Sequence, residues 1–109
     1  MQRKFSIVLN IILLLVLSVN QSYAVQGTVV LYKSECDFFI VKTPKGYALL
    51  EWYEGAEPDE GDTITGNIET FGYQDIYNNS KKENTHVWVE DYYLRKEKVV
   101  EKYVENCRD

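Results

Sequence analysis

The first 24 residues decide how much of this 109-residue chain is left to fold. Arg3 and Lys4 make a short positive start. An apolar run follows from Ile7 to Val19, interrupted only by Asn10 and Ser18. Ser22-Tyr23-Ala24 then sets small residues at the −3 and −1 positions of a cleavage point. This is the layout of a secretory signal peptide. The competing reading is an uncleaved membrane anchor. The apolar run is shorter than the ~20 residues that cross a bilayer, and Asn20-Gln21-Ser22 is a polar stretch of the kind that precedes a cut. No cysteine sits just after Ala24, so a lipid anchor has no attachment residue. The expectation is cleavage after Ala24, membrane contact only in transit, and a periplasmic or secreted product. Val25 to Asp109 remain, 85 residues forming one small domain.

A chain of that size buries only about 60–65% of the surface that its unfolded form exposes. Small domains of this kind usually need a covalent or metal staple. Cys36 and Cys107 are the only cysteines, 71 positions apart. In an exporting compartment they can form a disulfide. Closing a loop that long stabilises by about 4 kcal/mol on the chain-entropy model. A redox role would call for Cys-x-x-Cys, which is absent.

Charge excludes further classes. The leader carries two of the twelve basic residues and none of the seventeen acidic ones, so the remainder has a net charge of −7. Phosphate contacts need Lys and Arg. Lys81-Lys82 and Arg95-Lys96-x-Lys98 are the nearest to basic clusters, and Glu83 and Glu97 dilute them. Nucleic acid and anionic membrane surfaces are therefore disfavoured. A basic protein or a cation suits the balance.

Hydrophobic periodicity predicts a mainly β chain. Gln26–Lys33, Phe38–Thr43 and Tyr47–Tyr53 read as strands, the last two joined by the turn Thr43-Pro44-Lys45-Gly46. The stretch from Glu54 to Asp62 is an acidic loop. Thr63–Phe71 alternates with period 2, Ile64, Gly66 and Ile68 on one side. Gly66 in mid-strand signals a bulge or bend. Gly72–Tyr77 either extends that strand or forms a short one after a kink. Asn78–Thr85 is a polar loop, and His86–Glu90 is the last strand. Val99, Val100, Tyr103, Val104 and Cys107 then recur at helical spacing. That predicts a helix over about 92–107 with Asp91 as its N-cap. About five strands with a mid-strand glycine suggest a small closed barrel, OB-like or SH3-like, with a C-terminal helix tied by one disulfide. The helix that usually follows the third OB strand has no room here.

Candidate sites are few. The acidic loop offers Glu57, Asp59 and Asp62 as hard oxygen ligands for a cation, although the EF-hand spacing fails: counted from Glu57, Gly61 falls at position 5 and position 12 lacks Glu. A solvated turn is the plainer reading. Aromatic residues are 14% of the chain, with nine Tyr. Trp88 lies on the face opposite Val87 and Val89, so it is a candidate binding surface, whereas Trp52 reads as core. Tyr73, Tyr77 and Asn78 mix rings with an amide, a composition that stacks on sugars or proteins. His86 is the only histidine and has Glu90 four residues on, but no metal partners at ligand spacing. Asn78-Asn79-Ser80 is an N-x-S sequon. G-x-S-x-G is absent, and no cofactor motif is present. The expected function is a non-catalytic exported binding module that engages a protein through an acidic, aromatic-rich surface, as an inhibitor or immunity protein would. A glycan- or small-ligand-binding barrel is the alternative, and a small carboxylate-dependent hydrolase is the third option.

Overall fold

The computed structural model describes residues 24–108; of the expected leader, only Ala24 is among them. Six strands and one helix follow in order: β1 (Val25–Lys33), β2 (Cys36–Thr43), β3 (Gly46–Gly55), β4 (Thr63–Gly66), β5 (Gly72–Asn78), β6 (Glu83–Leu94) and α1 (Lys96–Asn106). The strands close into a barrel in the order β1-β2-β3-β6-β5-β4, and every pairing is antiparallel. Two three-stranded meanders therefore face each other. Closure leaves no sheet edge to pair with another chain.

The barrel, the C-terminal helix and the disulfide are as expected, but there are six strands rather than five. The expected strand Thr63–Phe71 stops at Gly66. There φ is +158°, and a Cβ would sit 2.7 Å from Ile76 Cγ2. Only glycine lets the backbone of β4 come this close to β5. Ile68 still reaches the interior and is fully buried, but it does so from the turn beyond β4. Gly72–Asn78 then runs back beside β4, pairing Asn78 with Ile64.

Two apolar clusters explain why parts of β2 and β3 are continuously apolar. Phe39, Val41, Ala48, Leu50, Val87 and Val89 point into the barrel with Val29, Ile64, Ile68 and Ile76. Ile40 and Leu49 point the other way and meet Val99 and Tyr103 of α1. A strand buried on both faces reads as an unbroken apolar run rather than an alternation. Trp52, expected in the core, is half-buried against the barrel cluster. Its indole Nε1 is buried without a hydrogen-bond partner, at a cost of about 1–3 kcal/mol.

The helix starts later than expected, at Lys96 rather than near 92, because β6 runs on to Leu94. Asp91 does not cap it. Its carboxylate accepts the Tyr92 N–H at 2.9 Å and pairs with Lys102 of α1 at 3.3 Å. Arg95 holds the N-cap position in extended conformation, without a side-chain cap. Tyr93 makes an irregularity inside β6 with φ +58°, where a bulky residue is uncommon, and the strand resumes at Leu94 opposite Tyr47. Cys107, just past α1, is bonded to Cys36 at the start of β2, with Cα atoms 5.6 Å apart. The bond clamps the helix end onto the sheet. It is compatible with an exported location.

Candidate functional site

The outer face of β3, β6 and β5 gathers four of the five side chains that the sequence marks as a binding surface: Trp88, His86, Tyr73 and Tyr77. In the β5–β6 pairing Tyr73 stands opposite Trp88, and Asp75 opposite His86. On the other side of β6, Glu51 stands opposite Trp88 and Glu54 opposite His86. The β3–β6 register shifts between Trp52 and Glu54. That extra residue breaks the in–out alternation, so Tyr53 and Glu54 are both exposed. Bulges re-aim side chains in this way.

The result is a groove of about 520 Å³ lined by Tyr53, Glu54, Tyr73, Gln74, Asp75, His86 and Val87. Its rings touch edge to face. Tyr53 and Tyr73 lie 5.2 Å apart at 68°, and Tyr73 and Trp88 lie 4.8 Å apart at 76°. Tyr73 is 67% exposed and Trp88 partly covered. The Tyr53 hydroxyl donates to Glu51 at 3.2 Å. Its pKa is pushed up to about 12, first by the hydrogen bond with Tyr73, then by loss of water and the Glu51 charge. His86 sits between two carboxylates. Its Nδ1 is 3.5 Å from Asp75 Oδ1, and its Nε2 is 3.8 Å from Glu54 Oε1. These become ion pairs only when the imidazole is protonated. All three groups are well exposed, so solvent screens them and they add little to stability.

Trp88, His86 and Tyr73 therefore share one face. Tyr77 lies on it too, 41% exposed, but opposite Asn84 and beyond the groove. Asn78 is not part of it. It is fully buried, donates Nδ2–H to Asp62 at 2.9 Å and accepts the Lys81 N–H at 2.9 Å. It shapes the β5–β6 turn, and its amide is not free to serve as the sequon's glycosylation acceptor. The reason is parity: Ile76 and Asn78 share the inward face of β5, while Tyr73, Asp75 and Tyr77 share the outward one.

The acidic loop carries its own cation. Lys81 Nζ lies 2.8 Å from Asp59 and 3.5 Å from Asp62, and donates to the Glu57 carbonyl. The Glu57 carboxylate accepts from the Tyr32 hydroxyl, and Asp62 also accepts the Asp59 N–H at 3.0 Å. Burial and the Glu57 charge raise the Tyr32 pKa. Among the described residues, no group of three His, Cys, Asp or Glu is placed to hold a metal. Glu57, Asp59 and Asp62 thus serve a Lys81-centred network. Excess calcium is expected to leave the thermal midpoint unchanged, as read by circular dichroism. A calcium-dependent rise would mean that the ion displaces Lys81.

A second aromatic group is set apart from the groove. Phe71 packs on Tyr92 with ring centres 4.6 Å apart, Tyr92 on Tyr93 at 4.7 Å, and Lys45 lies over the Tyr93 ring at 5.6 Å. A lysine already occupies this cluster.

Sequence reasoning missed Glu54 and Asp75 as partners of His86. A signal was present: from Gly46 to Ser80 there is no Lys or Arg, and β6 has none either. The outer face of three neighbouring strands is thereby left without a lysine or arginine. Compared with protein-family models, curated proteins and solved structures, the chain matches none.

Proposed function

We propose that this chain is an exported, non-catalytic binding module whose β3–β6–β5 face engages a basic protein. The observation that carries the reading is the cluster of exposed Tyr53 and Tyr73 with partly covered Trp88, beside Glu51, Glu54 and Asp75, on strands without Lys or Arg. Aromatic side chains are enriched in the energetic centres of protein interfaces. Uniform charge around them steers a partner of opposite sign. The closed barrel has no edge strand to offer, so a partner reads side chains rather than extending the sheet. Ring geometry supports a protein over a glycan. The rings pack edge to face and form no flat platform for a sugar. The leader and the disulfide support a periplasmic or secreted setting, where an inhibitor or immunity protein would act.

The test is capture by residues 25–109 from envelope and culture-fluid extracts of the host, at low and high salt. A stoichiometric protein released by salt, and lost with Glu54→Lys/Asp75→Lys or Tyr73→Ala/Trp88→Ala, is the expected result. No retained protein at either salt, or retention indifferent to those substitutions, overturns the reading.

A further inference from the structure

We infer that the groove between Tyr53 and Asp75 seats an arginine side chain of the protein partner. The inference rests on the binding-module reading and deepens it to one residue type. Three observations converge. First, the groove is a concavity of about 520 Å³ in a face that is otherwise sheet. Second, Tyr53 and Tyr73 wall it with π-systems, which attract cations when water is displaced. Third, Glu54 and Asp75 flank it from opposite sides of His86, and no lysine or arginine on β3, β5 or β6 neutralises them. On the turn that joins β5 to β6, Lys81 is committed to Asp59 and Asp62.

The arrangement discriminates among cations. A metal ion at either imidazole nitrogen meets only one carboxylate, because Glu54 and Asp75 approach opposite nitrogens. A lysine ammonium is a point charge that serves one carboxylate at a time. A guanidinium is flat and weakly hydrated, and its donors fan out in its plane. Lying over the imidazole or a tyrosine ring, it addresses carboxylates on two sides while its face stays on the aromatic wall. Such pairing is charge-assisted on both sides.

The experiment uses 15N-labelled protein, residues 25–109, and two blocked tripeptides, Gly-Arg-Gly and Gly-Lys-Gly, as probes. Expected are amide shifts confined to Tyr53, Glu54, Tyr73, Asp75 and His86, with the arginine peptide acting at several-fold lower concentration than the lysine one. Glu54→Gln/Asp75→Asn should abolish the response while leaving the rest of the spectrum in place. Equal response to both peptides overturns the arginine assignment. Shifts spread over the Glu57–Asp62 loop, or no shift with either peptide, overturn the site. If protein capture succeeds and depends on this face while the peptides do nothing, the inference fails and the binding-module reading stands. If the peptides bind and capture fails, the groove stands and the protein-partner reading falls.

Discussion

Replacing both cysteines, Cys36→Ser with Cys107→Ser, is expected to lower stability by about 4 kcal/mol. The bond closes a loop of 71 positions, nearly all of the described chain. Without it the unfolded ensemble regains that freedom. The loss is comparable with the whole stability of a small domain, for which about 5 kcal/mol is the low end. For a domain this small, it corresponds to a fall in Tm of roughly 20 °C. The local consequence is specific. α1 has no side-chain N-cap and no basic residue in its last turn, and it presents only Val99 and Tyr103 as buried residues. Once unclamped, it should fray first and expose Ile40 and Leu49, which it covers. Hydrogen exchange of the oxidised and reduced forms checks this. Protection of α1 should fall before that of β6. A reduced protein that melts at the same temperature, with α1 still protected, would show that packing alone holds the helix.

Asp62→Ala should cost about 3 kcal/mol, because it strips a buried amide of its acceptor. Asp62 is 8% exposed, and the Asn78 side chain that donates to it is fully buried. The same carboxylate accepts the Asp59 N–H and faces Lys81. Burial alone would raise the Asp62 pKa, but the Asn78 amide, the Asp59 N–H and the Lys81 ammonium outweigh it, so the carboxyl titrates below its ordinary 3.8. Burial alone would lower the Lys81 pKa, but Asp59 and Asp62 outweigh it, so the ammonium titrates above its ordinary 10.5. The signs then follow from linkage. The Asp62 contribution is present above pH 3.8 and is lost as pH falls through the lower folded value. The Lys81 contribution is complete below pH 10.5 and is lost as pH rises through the higher folded value. Urea unfolding of the parent and of Asp62→Asn across pH 2–6 tests the acid side. The two curves should converge at the acid end. A constant gap would place the Asp62 effect in packing rather than charge.

The barrel was legible because its signals are local. The turn Thr43-Pro44-Lys45-Gly46 announces the β2–β3 hairpin, and the alternation in Thr63–Ile68 announces a half-buried strand. Three valines and Tyr103 at helical spacing announce α1. Its start was misplaced because Asp91 resembles a cap on paper, while the aromatic pair Tyr92-Tyr93 continues the strand through a left-handed residue at Tyr93 to Leu94. Which Asn faced outward was equally hidden. Asn78 sits in a polar run that looks like a solvent loop, yet the parity of β5 drives it inside. The groove was only half legible. Trp88 and Tyr73 declare themselves by composition, but Glu54 joins them through a register shift between β3 and β6, beside Gly55 at φ +88°.

The missing basic residues on the β3–β6–β5 side have a practical corollary. Every lysine of residues 25–109 lies on β1, on β2 or its turn, on the β5–β6 turn, or on α1. Amine-reactive coupling to a solid support therefore tethers the protein by its other sides and presents the groove to solution. Trypsin meets no cleavage site between Lys45 and Lys81, so the segment carrying Tyr53, Glu54, Tyr73 and Asp75 is released as a single peptide, in which a partner crosslinked through any of these side chains can be mapped.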